Sequence, residues 1–162
     1  MKIFYSKGKN FGDDLNEWLW PRIIPEKLLY TSRHNTLFVG IGTLLNEKIP
    51  VEPARKLIFG AGVGYGVLPQ IDKNWNFYFV RGYLSAKQLN LDPKLVLSDS
   101  AILVREAFDP NQVTVRDTIS FIPHHTTAHT EDWEVICQLA DIQYIDPKEE
   151  VESIFAKINK SR

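Results

Sequence analysis

Arg81 and Ser85 are the residues of this sequence best suited to hold an anion. They lie in Phe-Val-Arg-Gly-Tyr-Leu-Ser, where an apolar run stops at an arginine and a glycine ahead of a helix-like stretch. A guanidinium is a planar fork for carboxylate or phosphate, and the free N–H groups of a helix start add to it. The competing reading is an arginine paired on the surface with Asp99 or Asp72. A second polar group, Asn-Phe-Gly-Asp-Asp-Leu-Asn at 10–16, follows the first apolar run. Asp13 or Asp14 could serve there as a base, while Asn10 or Asp13 would equally cap a helix. Both roles are compatible. His124, His125 and His129 fall within six residues. Neighbours on a strand point to opposite faces, which disfavours a shared metal ion. A histidine at a strand end suits acid–base work or anion contact instead. His34 reads as a turn residue. Gly60, Gly62, Gly64 and Gly66 follow an apolar run as a phosphate loop would, yet match neither GxGxxG nor a P-loop. Their other use is close backbone approach or a positive φ.

The elements that must position these groups are legible as short apolar runs. A β-branched and aromatic run covers Lys2 to Ser6. Continuous apolar runs then cover Thr36 to Gly42, Lys56 to Gly62, Asn76 to Gly82 and Lys94 to Asp99. Runs apolar at nearly every position suit parallel strands buried on both faces. Helical spacing covers Asp13 to Ile24, with a ragged end at Pro21 and Pro25, and Leu84 to Leu89. This is the pattern of a layered α/β sheet. Ligands of such sheets bind outside the carboxyl ends of the strands. That rule points to Gly40–Thr43 with Gly42, Gly60–Gly66 with Gly62 and Gly64, Arg81–Ser85, and Asp99.

Residues 109–118 read as a linker between a first unit (1–108) and a second (119–162). The second reads as strand Ile119–His125, helix Glu131–Ala140, strand Ile142–Asp146 and a last helix opened by Asp146 as N-cap and Pro147 as first residue. Two strands and two helices make a poor independent core. This tail either packs on the first sheet or opens a larger second domain.

Composition narrows the function classes. The 162 residues carry 19 Lys+Arg against 20 Asp+Glu, a net charge of −1, so a general nucleic-acid binder with a basic stripe is disfavoured. Hydrophobic residues make up 44%, which excludes a disordered acidic chain. A single cysteine, Cys137, excludes an internal disulfide framework and a multi-cysteine zinc site. It reads as a small core hydrophobe, and Trp18, Trp20, Trp75 and Trp133 read as packing residues. No apolar run reaches membrane-spanning length. The expectation is a cytoplasmic protein.

Taken in order, the 10–25 segment, Phe-Val-Gly-Ile-Gly-Thr, Ile-Phe-Gly-Ala-Gly-Val-Gly-Tyr-Gly, the Arg81 segment, Ser-Asp-Ser-Ala-Ile-Leu-Val and Phe-Ile-Pro-His-His-Thr-Thr followed by Ile-Asp-Pro resemble the polysaccharide pyruvyl transferases, in their exopolysaccharide branch. The resemblance implies two Rossmann-like domains facing a GT-B-like cleft. The implied reaction moves the enolpyruvyl unit of phosphoenolpyruvate onto sugar hydroxyls, giving a pyruvate ketal. No cofactor or metal is implied. The implied partners are phosphoenolpyruvate and a polysaccharide or lipid-linked oligosaccharide acceptor, at the inner face of the membrane, with no nucleic acid.

By position, Asn10, Gly12 and Asp13 match the family's Asn-x-Gly-Asp motif, which puts Asp13 near the reacting centre. Arg81 and Ser85 match Arg-Gly-x-x-Ser, with the arginine on the donor's charge. Asp99 matches an Asp-Pro-Ala-like turn, with Ser100 in place of proline. Pro123 and His124 match a Pro-His pair. The resemblance thus marks Asp13, Arg81 and His124 as catalytic and Asn10, Gly12, Ser85 and Asp99 as substrate-binding. Gly42, Gly62 and Gly64 join them from the strand-end rule. Family members continue past the Ile-Asp-Pro helix into a segment with a further catalytic Arg or His. The expectation is therefore a first domain plus the opening βαβα of a second, with an unfinished edge that favours a homo-oligomer. Two other readings stay open: a non-catalytic scaffold, and a glycosyltransferase using a nucleotide sugar.

Overall fold

The apolar runs at 2–6, 36–42, 56–62 and 76–82 each contribute a strand to one sheet. The computed structural model describes residues 1–30, 35–110 and 116–162. Strands β1 (Lys2–Phe4), β2 (Thr36–Val39), β3 (Arg55–Phe59) and β4 (Trp75–Phe79) form the sheet in the order β1-β2-β3-β4. All three pairings are parallel, with Phe4 opposite Val39, Val39 opposite Ile58, and Phe59 opposite Phe79. The fold is α/β and Rossmann-like.

Alternation along the strands divides the core in two. Leu37, Val39 and Ile58 face Leu44, Leu45 and Ile49 of the following loop, and Ala86 and Leu89 of the helix region after β4. That region holds α3 (Tyr83–Gln88). Phe38, Leu57 and Phe59 face the opposite way, against Leu19 and Trp20 of α1 (Phe11–Ile23). Trp20 meets Phe38 edge-on, with ring centroids 4.8 Å apart. A four-residue helix, α2 (Glu26–Leu29), follows α1.

Helix α1 begins where the polar group at 10–16 begins. Asn10 is its N-cap and accepts the Asp13 N–H at 3.1 Å. Pro21 lies inside the last turn, and the helix ends two residues later at Ile23.

The run at 94–99 behaves differently from the expected strand. Asp92 caps a 3-10 turn at Pro93–Leu95 through the Lys94 N–H. Only Val96 then pairs, as an isolated parallel bridge to Val80. Asp99 caps a second 3-10 segment, Ser100–Glu106.

The second half forms β5 (Ser120–Phe121), α4 (Trp133–Leu139), β6 (Gln143–Tyr144) and α5 (Val151–Asn159). The strands pair in parallel as a separate two-stranded sheet. Helix α5 starts later than Pro147. Asp146 instead caps a turn through the Lys148 N–H, and Glu150 occupies the N-cap position. Helix α5 packs on α1, so the tail docks on the helical layer of the first sheet. Phe155 meets Phe11, Trp18 and Phe108 at ring distances of 5.3, 5.0 and 4.8 Å. Arg22 pairs with Glu152 at 2.9 Å, and the Phe11 N–H donates to the Pro147 carbonyl at 2.8 Å. Cys137 is buried. His34 and part of the 109–118 segment lie outside the described residues. Among the described residues no helix is long and apolar enough to cross a membrane.

Candidate functional site

The carboxyl ends of β1 and β2, the loop after β4 and the loop after β5 converge on one cavity of about 980 Å³. Asn10, Gly12, Asp13, Gly42, Arg81, Asp99 and His124 all line it. These seven come from five separate stretches of the chain. The strand-end rule brings the first-half residues together, because parallel strands present their carboxyl ends to one side.

Asp13 and Asn10 hold each other. The Asn10 amide donates to Asp13 Oδ2 at 2.6 Å while its oxygen caps the Asp13 N–H. Gly12 stands in the first turn, where N–H groups lack intrahelical acceptors. The Asp13 carboxylate and an open helix N–H therefore border the same space. Asp14 points elsewhere and does not line the cavity. Burial, with the negative charges of Asp13, Glu150 and Glu17, raises its carboxyl above the ordinary range.

Asn16 fixes this corner, a role that spacing along the chain did not reveal. It is fully buried. Its amide donates to the carbonyls of Asp13 at 3.1 Å and Ile41 at 2.9 Å. Its oxygen accepts the Trp20 indole N–H at 2.8 Å and the Ile41 N–H at 3.0 Å. Every hydrogen-bonding capacity of the amide is used, and α1 is tied to the chain just before Gly42.

Arg81 is braced rather than loose. Its Nη1 donates to Asp99 Oδ2 at 2.6 Å, and its Nη2 donates to the Thr43 hydroxyl. Two of the five guanidinium N–H groups are thereby engaged, leaving three for a ligand. Asp99 Oδ1 also caps Ala101 N–H at 2.9 Å. The pairing with Asp99 weighed from the sequence is thus present, and it stands in the cavity wall.

Gly62, Gly64 and Ser85 do not line the cavity. Arg81 lies across Gly62, where an added Cβ would come within 2.7 Å of Arg81 Nε. Gly60, at φ +85°, lets Ser100 approach so closely that a Cβ would meet its backbone nitrogen at 2.9 Å. These glycines make room for the protein's own side chains. Ser85 is buried, and its hydroxyl accepts the Val63 N–H at 3.1 Å.

His124 and His125 both line the cavity, with ring centroids 4.3 Å apart. The expectation of opposite faces fails because β5 ends at Phe121. The histidines lie beyond it, where strand alternation no longer applies. His124 Nδ1 lies 2.8 Å from the Thr126 hydroxyl. Among the described residues no group of three His, Cys, Asp or Glu is placed to hold a metal ion. Lys48 and Tyr65 also line the cavity, and neither stood out in the sequence.

Comparison with curated proteins finds a similar sequence. The chain is 37% identical over 166 aligned residues to the succinoglycan biosynthesis protein ExoV of Rhizobium meliloti (strain 1021). The chain is thus similar to ExoV along nearly its whole length. The alignment takes in 99% of this chain and 52% of that protein, so the chain spans about half the length of its relative. The resemblance drawn from the motifs also led to an exopolysaccharide branch. No protein-family model matches the chain, and no solved structure matches it.

Proposed function

We propose that the chain acts in exopolysaccharide biosynthesis as a polysaccharide pyruvyl transferase, with phosphoenolpyruvate as donor. The observation that carries this reading is the convergence of Asn10, Gly12, Asp13, Gly42, Arg81, Asp99 and His124 on one cavity, in a chain 37% identical to ExoV over the aligned residues. Phosphoenolpyruvate presents a phosphate and a carboxylate. The guanidinium N–H groups of Arg81 that have no protein acceptor, and the Gly12 N–H in the first turn of α1, suit such a ligand. In the proposed reaction one acceptor hydroxyl adds to C2 of the enolpyruvyl double bond as C3 takes a proton. The second hydroxyl then displaces phosphate at C2 and closes the ketal, its proton leaving with the departing phosphate. Asp13 receives the hydroxyl proton and His124 supplies the proton to C3. The acceptor is a polysaccharide or lipid-linked oligosaccharide, met at the cytoplasmic face of the membrane. The second half belongs to a second Rossmann-like domain across a GT-B-like cleft.

The test is product formation. The chain is incubated with phosphoenolpyruvate and a succinoglycan-derived oligosaccharide, and ketal methyl signals are followed by proton NMR alongside phosphate release. Equal amounts of ketal and phosphate, both lost in His124→Ala, are expected. Sugar transfer from a nucleotide sugar, with no ketal from phosphoenolpyruvate, would replace this reading with a glycosyltransferase.

A further inference from the structure

Four side chains with formal charge line the cavity: Asp13, Lys48, Arg81 and Asp99. Their charges cancel, which is a poor match for a donor with two anionic ends. The balance is uneven in space, however. Arg81 is neutralised by Asp99 at 2.6 Å, and Asp13 is held by Asn10. Among the described residues lining the cavity, Lys48 is the cation whose side chain meets no protein acceptor.

The backbone beneath Lys48 is built rigidly. Asn46, nearly buried, accepts the Lys48 N–H on its side-chain oxygen at 3.0 Å, and its carbonyl accepts the Ile49 N–H at 3.2 Å. Leu45 and Ile49 anchor the turn in the core. The Leu45 N–H donates to the Gly62 carbonyl at 3.0 Å. Glu47 grips Val67 twice: its N–H donates to the Val67 carbonyl at 2.9 Å and its carboxylate accepts the Val67 N–H at 2.6 Å. The loops after β2 and β3 therefore form one wall, and it carries Lys48 to the cavity. An ammonium on a flexible stem from a fixed base is a point charge that can follow a ligand.

We infer that Lys48 is an anion-binding residue of this cavity, taking the phosphate of the donor while Arg81 and its Asp99 brace orient the carboxylate. The inference rests on the donor reading above, and its test separates the two. Phosphoenolpyruvate and, separately, inorganic phosphate are titrated calorimetrically into the wild-type chain, Lys48→Met and Lys48→Arg. Loss of one charge-assisted contact weakens binding by about tenfold or more. Lys48→Met is expected to show that loss for both ligands, and Lys48→Arg to retain most of the affinity. Thermal unfolding should move little, because among the described residues the ammonium makes no hydrogen bond or ion pair. Unchanged affinities in Lys48→Met would overturn the Lys48 assignment and leave the donor reading standing. Lys48-dependent phosphate binding without phosphoenolpyruvate binding would support the anion site and overturn the donor reading. No binding of either ligand to the wild type would overturn both.

Discussion

Replacing Asn16 by alanine should loosen the corner of the cavity that holds Asp13 and Gly42. The side chain is fully buried and makes four hydrogen bonds. Alanine strands the Ile41 N–H, the Ile41 carbonyl and the Trp20 indole N–H away from bulk water. Each buried orphan costs about 1–3 kcal/mol. Water entering the vacated space recovers part of this, so the expected loss is about 3–5 kcal/mol. That is a large share of the roughly 5–15 kcal/mol that holds a domain folded. Urea unfolding followed by tryptophan fluorescence reads it directly, since Trp20 is one of the released partners. The midpoint should fall with the slope unchanged. Asn16→Asp should also destabilise, because it keeps the two acceptor roles but loses both donations and buries a charge. A loss below about 1 kcal/mol for Asn16→Ala would refute the claim that this amide ties α1 to the β2 loop.

Further predictions concern charge. Asp14→Asn should stabilise the protein at neutral pH by about 0.5 kcal/mol, the size of relieved like-charge pairs. The raised carboxyl penalises the fold only when ionised, so the gain in melting temperature should vanish below its ordinary value of 3.8. Glu149 behaves oppositely. Partial burial pushes it up, but hydrogen bonds from Lys157 and Ser153 outweigh this and hold it below its ordinary value. Glu149→Gln should therefore cost about 0.5–1 kcal/mol at neutral pH. In melts across a pH series that difference should close as pH falls through the lowered value. Arg81→Ala exposes the Asp99 carboxylate to the ligand as well as removing a cation. The double variant Arg81→Ala/Asp99→Asn should then bind phosphoenolpyruvate several-fold better than Arg81→Ala alone. Equal affinities in calorimetry would show that Asp99 does not offset Arg81.

Much of the sheet was readable because buried parallel strands leave continuous apolar runs. The residues after the runs at 36–42 and 76–82 met at a cavity for the same reason, since parallel order fixes which end they share. The run at 94–99 misled because Asp92 and Pro93 turn the chain before Val96 can extend its pairing. The histidine pair misled because β5 is only two residues long. Gly62, Gly64 and Ser85 looked like ligand contacts, but Arg81, Thr43 and Val63 occupy the space or hydrogen bonds they offer. Asn16 closes the polar 10–16 segment, but its tie to Ile41, 25 residues away, leaves no trace in local spacing. Lys48 leaves none either, as its place depends on Glu47 gripping Val67 across another loop.

The cavity is proposed to take phosphoenolpyruvate. Competition calorimetry on the wild-type chain tests it most directly, with phosphoenolpyruvate titrated alone, after inorganic phosphate, and after a nucleotide sugar. Saturable binding of phosphoenolpyruvate, weakened by phosphate and indifferent to the nucleotide sugar, is predicted. Binding of the nucleotide sugar with no heat from phosphoenolpyruvate would contradict the account.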